Sequence, residues 1–315
     1  LEYCFRVVNY SVSGLVLKKL NKCGLSSNVK RLAFLLSSSF LVAGSVQAKI
    51  IYVADVESGS LDEFYYSSSN KVLNRSLLCC SHSAVVVTSP VRTGKYAVKV
   101  EVRKDDAWKA GRPRAQLKIG GLEYFPKDSE RWIGWSAYTP NDWVNATQGY
   151  FGVGGLHGIE GIGFSVRMEW GRWKFRAQHG DFFDVTNGVV TKSDDFVNTL
   201  HWQGLLDTDK GKWTDWVVHV KMTSNKPGGI YEVWKNGVKV LNYHGPMDLG
   251  NSAGNFMQMG IAASPDTTAF PRIMYYDEFR IGDENSSYNE VAPGGGSHDT
   301  QAPSTPTNLS VVVES

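Results

Sequence analysis

The residues best equipped for chemistry lie in positions 111–118, GRPRAQLK. Extended as a strand, this stretch puts Arg112, Arg114, Gln116 and Lys118 on one face and Ala115, Leu117 and Ile119 on the other. A face of cations with an amide suits the gripping of a polyanion, because guanidinium and amide groups match carboxylates. The same pattern recurs at 173–179 (WKFRAQH), where Lys174, Arg176 and Gln178 share a face. His157 stands in a glycine-rich run, GVGGLHGIEGIG, in which the backbone can approach a ligand closely. A histidine there is a candidate general base, and Lys174 is a second. Tyr243, Tyr275 and Tyr276 are candidate proton donors. The alternative for every such face is a solvated side of an antiparallel sheet.

The elements that must carry these residues read as strands. Residues 96–102 (YAVKVEV), 216–222 (WVVHVKM) and 230–234 (IYEVW) alternate apolar and polar, and 274–281 (MYYDEFRI) reads as a late strand. Asn236-Gly237 between two such runs predicts a tight hairpin. Residues 194–209 are less regular and are expected to form a loop or lid. Many short strands broken by Gly, Asn, Asp and Pro predict an all-β sandwich of two antiparallel sheets with one concave face.

Residues 1–48 read as an upstream extension and an export signal. Lys30 and Arg31 precede the apolar run 32–44, and Val46-Gln47-Ala48 is a small-residue cleavage site. The run is short and broken by serines, unlike a membrane span. Residues 49–291 form the main domain. Residues 292–306 have linker composition, and 307–315 resemble the first strand of a fibronectin type III module. The formal net charge of +2 among 315 residues provides no global field for nucleic acid, so polyanion recognition must be local. Cys79 and Cys80 are adjacent, which gives neither a disulfide framework nor a zinc spacing. Asp277 and Glu278 offer oxygen ligands for a structural Ca²⁺, two of the 6–8 such an ion takes.

Taken in order, 93–102, 112–117, 132–143, 211–221, 231–237, 259–261 and 275–282 resemble the secreted β-jelly-roll polysaccharide lyases. These are the heparin-lyase-I-like group with its alginate, glucuronan and ulvan lyase relatives. The resemblance spans about residues 50–290 and implies a jelly-roll sandwich. It also implies cleavage of a uronic-acid polysaccharide by β-elimination. In the alginate branch an Arg-x-Glu-Leu strand resembles Arg114-Ala115-Gln116-Leu117, with Glu replaced by Gln. A Gln-x-His strand resembles Gly155-Leu156-His157, with the Gln lost. A Gly-x-Tyr strand resembles Gly260-Ile261-Ala262, with the Tyr lost. Another group must then supply that tyrosine's proton chemistry, or the domain is not catalytic.

The implied assignment makes His157 or Lys174 the base and a tyrosine the acid, with Tyr276 the first candidate and Tyr275 and Tyr243 left open. It has Arg114 and Gln116 neutralise the sugar carboxylate. Arg112, Lys118, Arg176, Gln178 and Tyr243 would bind the chain. The chemistry requires no cofactor, and a secreted monomer is expected, with ulvan or glucuronan the favoured substrate and alginate and heparin-like polymers left open. A carbohydrate-binding module and a sandwich glycoside hydrolase are the alternatives. The hydrolase usually needs acids at alternate positions of one strand, which Glu160, Glu169 and Glu232 do not supply.

Overall fold

The computed structural model describes residues 7–12, 15–20, 47–158, 161–180, 184–186, 189–191, 196–223, 226–248, 253–264 and 270–295. The export signal at 30–44, most of the linker and residues 307–315 lie outside them. The chain divides into two units, Leu1–Val46 and Gln47–Ser315. In the first, β1 (Val7–Val12) and β2 (Leu15–Leu20) pair as an antiparallel hairpin.

The second unit holds the remaining strands. They are β3 (Ile50–Ala54), β4 (Tyr65–Ser67), β5 (Asn70–Leu73), β6 (Ala84–Val87), β7 (Ala97–Val102), β8 (Arg114–Ile119), β9 (Glu130–Tyr138), β10 (Phe151–Gly158) and β11 (Ile162–Glu169). There follow β12 (Arg172–His179), β13 (Asp184–Thr186), β14 (Val189–Thr191), β15 (Val197–Leu205), β16 (Trp213–Lys221), β17 (Ile230–Lys235), β18 (Val238–His244), β19 (Asn255–Ala263) and β20 (Arg272–Gly282). One short helix, α1 (Tyr288–Val291), follows β20 and carries a capping box between Ser287 and Glu290.

Two antiparallel sheets make the jelly-roll sandwich. One has the order β15-β12-β11-β10-β19-β8. The other runs β18-β17-β16-β9-β20-β7-β6, with β3 also paired to β20. Alternation decides which side chains meet between them. Ala115, Leu117 and Ile119 of β8, Phe164, Val166 and Met168 of β11, and Trp173, Phe175 and Ala177 of β12 enter the core. They pack with Val98, Val100, Trp216, Val218, Tyr231 and Met274 of the second sheet. Non-directional burial of these apolar faces holds the layers together. The intervening residues of the six-stranded sheet therefore face away from the core.

The Asn236-Gly237 hairpin joins β17 to β18, with positive φ at both turn residues (47° and 83°), as a two-residue turn with mirror-image geometry requires. Residues 194–209 depart from the loop expectation, since β15 occupies most of them. Its pairing with β12 slips between Phe175 and Arg176. That irregularity breaks the period of two and hides the strand in the sequence.

Candidate active site

Arg114, Gln116 and Lys118 stand on the outer face of β8, as their alternation with core residues requires. Cross-strand register extends this face over the whole sheet. Arg114 lies opposite Ala262, Ala262 opposite Gly152, Gly152 opposite Arg167, and Arg167 opposite Lys174. Past the Gln116–Gly260 pair and a register shift in β10 between Gly152 and Gly154, a second row runs Lys118, Gln258, Gly155, Ser165, Arg176. His157 follows one step on, opposite Phe256.

Two glycines let the middle strands lie close. A Cβ on Gly155 would sit 2.6 Å from the Phe164 carbonyl oxygen, and one on Gly260 (φ +126°) would press on the Ala115 carbonyl. Both positions therefore exclude side chains. Beneath them, the Tyr276 hydroxyl lies 2.9 Å from the Val153 carbonyl oxygen and 3.0 Å from that of Gly260.

That arrangement corrects the assignment of Tyr276. It is 2 % exposed, lies between the sheets, and gives its proton to main-chain acceptors. Burial raises its phenol well above the ordinary value. It is a support beneath β10 and β19, not a proton donor to substrate. Tyr243 is corrected as well. It sits on β18 in the other sheet, packs against the core and His201, and donates to the Pro246 carbonyl oxygen.

The tyrosine that does reach the cation face is Tyr150, just before β10, which sequence reasoning missed. The Arg112 guanidinium donates to its hydroxyl at 3.0 Å, and the Arg167 guanidinium lies 4.2 Å from its ring centre. Burial pushes this phenol up. The hydrogen bond from Arg112 and the charges of Arg167, Arg112 and Arg114 outweigh burial and leave it below the ordinary value. Cations stabilise phenolate, a surrounding that suits a tyrosine to proton transfer.

His157 looks onto the same patch. Burial first, then Arg114, Arg167, Lys118 and Arg112, pull its imidazole down to about 3. It is therefore neutral at ordinary pH, with a lone pair available to accept a proton. Burial and Arg112 also lower Arg114, and burial and Arg114 lower Lys118. Within the protein, Arg114 Nε and Gln116 Oε1 are buried without hydrogen-bond partners. A bound anion would complete the donor Arg114 Nε among these crowded cations, whereas the acceptor Gln116 Oε1 calls for a donor such as a sugar hydroxyl. Arg167 and Gln258, also missed, belong to this face. Arg167 alternates with core Val166 and Met168, and Gln258 with core Met257 and Met259.

Lys174 lies on the same face but four strands from Arg114, about 19 Å at ordinary strand spacing. Its ammonium pairs with Glu169 at 3.4 Å and sits 4.4 Å from the Trp170 ring centre. It cannot share one sugar with Arg114. Arg176 donates to Asn198, and Gln178 accepts from the Ile162 amide at 3.2 Å, so these two also lie on the distant side. Asp277 and Glu278 do not present free ligands for calcium. Asp277 accepts from the amides of Arg92, Thr93 and Glu278, and Glu278 accepts from Gly294 and pairs with Arg280.

The sandwich fold agrees with comparison to known proteins. The polysaccharide lyase family model matches residues 56–280, and the chain belongs to that family. It is a polysaccharide lyase. No curated protein matches it in sequence. Among solved structures, it is similar to an endo-β-1,4-glucuronan lyase from the fungus Trichoderma reesei (TM-score 0.60, 16 % identity, 79 % of this chain and 100 % of that one). The family-7 alginate lyase A1-II' matches less well (0.44, 13 %, 64 % and 83 %). A glycoside hydrolase family 131 catalytic domain from Coprinopsis cinerea shares the sandwich (0.50, 13 %, 74 % and 94 %).

Proposed function

We propose that this enzyme cleaves a glucuronate-containing polysaccharide, glucuronan or ulvan, by β-elimination. The observation that carries the reading is Tyr150, held by Arg112 beside Arg167 and Arg114, on the same patch as a neutral His157. The solved neighbour acting on glucuronan supports the choice of sugar.

In this mechanism Arg114 and Gln116 bind the uronate carboxylate and draw charge from it, which makes the C5 proton acidic. His157 accepts that proton. The C5–H electron pair becomes the C4=C5 double bond, and the C4–O bond breaks. Tyr150 protonates the departing oxygen, and a proton passes back from His157 to reset the pair. Lys118 and Arg176 bind carboxylates of other sugars along the sheet. The approaching anion raises the basicity of His157, because it replaces repulsion among cations with attraction.

The export signal places the enzyme outside the cytoplasm in this reading. Among the described residues, no helix is long and apolar enough to cross a membrane. Purified protein incubated with glucuronan, ulvan and alginate tests the proposal. Unsaturated uronate ends, seen by ultraviolet absorbance, are expected from the first two. New reducing ends without that absorbance would indicate a hydrolase. Neither signal would leave a binding module.

A further inference from the structure

Away from the cation face, four metal-ligating side chains converge. Cys79, Cys80, His82 and Asp106 each point one ligand atom into a space where all four atoms lie within 4.8 Å of one another. They come from two segments, the run before β6 and the connection between β7 and β8. Asp106 is buried, and its carboxylate oxygens lie 2.9 and 3.1 Å from His82 Nε2. Its Oδ1 is 3.7 Å from Cys80 Sγ. The backbone frames the group closely. Arg103 N donates to Asp106 Oδ2 at 2.8 Å, and Cys80 N donates to Ser83 Oγ at 3.2 Å.

Cys79 and Cys80 are drawn together as a disulfide. A bond between adjacent residues closes almost no loop, so it restrains little of the unfolded chain. It also leaves unexplained why an imidazole and a buried carboxylate from 24 residues further on meet the sulfurs. Two thiolates, one imidazole and one carboxylate are a four-ligand set that Zn²⁺ takes in tetrahedral geometry. The soft sulfur pair disfavours calcium and magnesium, which take oxygen ligands.

We propose that Cys79, Cys80, His82 and Asp106 form a zinc site, open when the cysteine pair is reduced and closed when it is oxidised. Opening takes two electrons and two protons and converts the disulfide to two thiols. A thiol reductant supplies both and becomes its own disulfide, whereas a phosphine supplies the electrons and becomes its oxide, with the oxygen and both protons coming from water. Zinc then binds both sulfurs as thiolates and releases two protons. The ion joins the segment before β6 to the β7–β8 connection. That segment lies along the edge of the six-stranded sheet, where the Leu77 carbonyl accepts the Gln116 amide at 3.3 Å. Zinc therefore clamps a covering strip onto the strand that carries Arg114 and Gln116. Sequence spacing gave no sign of this, because Asp106 joins the cysteines only through folding.

The full chain is reduced with a phosphine, stripped with a chelator, supplied with Zn²⁺ and dialysed before metal analysis. One retained zinc per chain and a higher melting temperature than the stripped protein are expected. The oxidised protein should retain none. Co²⁺ in place of zinc should give sulfur-to-cobalt charge-transfer absorption and tetrahedral visible bands. Asp106→Asn and His82→Ala, each checked for folding by circular dichroism, should lower zinc affinity by more than ~10-fold, the smaller end of what an outer-shell loss produces. Absence of zinc from folded, reduced protein would overturn the site. Equal retention by oxidised protein would also overturn it, because the sulfurs would then not be ligands.

Discussion

Replacing Tyr150 by Phe removes one oxygen and leaves the ring against Arg167. If the hydroxyl only anchors Arg112, the cost is one charge-assisted hydrogen bond, about 1.5–3 kcal/mol of stability, and kcat is nearly unchanged. If it donates the proton to the leaving oxygen, kcat falls by ~10²–10⁴, which is about 3–5 kcal/mol of barrier. The two roles also differ in pH dependence. A proton donor must be protonated, so activity falls as pH rises through its pKa. The Tyr150 phenol lies below its ordinary value because burial is outweighed by Arg112, Arg167 and Arg114. The alkaline limb should therefore lie below ~10. Arg112→Ala removes a stabiliser of phenolate and should move that limb to higher pH. Initial rates of unsaturated uronate formation across pH, for wild type and both variants, test this. A folded Tyr150→Phe variant with kcat within a few-fold of wild type would refute the assignment. So would an alkaline limb that ignores Arg112.

Arg114→Ala should cost at least ~2 kcal/mol in kcat/KM with the fold intact, the scale of a preorganised charged donor. A near-normal rate in folded protein would make Arg114 structural. His157→Ala should lose more than ~100-fold in kcat, and Lys174→Ala far less, since Lys174 is committed to Glu169 and Trp170. With His157 near 3, kcat/KM should show no acid limb at the ordinary histidine value of ~6.5. An inflection there, or a dead Lys174→Ala beside an active His157→Ala, would reverse the choice of base. On the other sheet, burial raises Glu232, but hydrogen bonds from His219 and Lys239 outweigh it and bring the carboxyl to about 2. A depressed acid stabilises the fold above its unfolded pKa of ~4.3 and loses that contribution as pH falls from there towards ~2. Urea unfolding of wild type and Glu232→Gln should show a gap at pH 7 that narrows below ~4. A pH-independent gap would contradict it.

The face of β8 was legible because Ala115, Leu117 and Ile119 alternate strictly with Arg114, Gln116 and Lys118. The same rule would have found Arg167 between Val166 and Met168. It would also have excluded Tyr276, which shares its parity with core Met274. Tyr150 was not legible in this way. It precedes a glycine-rich strand with little side-chain pattern, and its chemistry comes from arginines of β11 and of the approach to β8. Only the register among β8, β19, β10 and β11 brings them together. Lys174 looked equivalent to Arg114 for the converse reason, since a strand pattern shows which face a residue takes but not how many strands away it lies. β15 escaped because its slipped pairing with β12 disrupts the alternation.

The central claim is that a C5 proton is removed while the C4–O bond breaks, on a polymer whose carboxylate Arg114 holds. Glucuronan deuterated at C5 of its glucuronate tests it most directly, with products read by mass spectrometry and proton resonance. Elimination predicts a new non-reducing-end sugar with a C4=C5 double bond, lacking the deuterium and lighter by one water than a hydrolysed end of otherwise identical isotopic composition. New ends that keep the deuterium and carry a C4 hydroxyl would contradict the account.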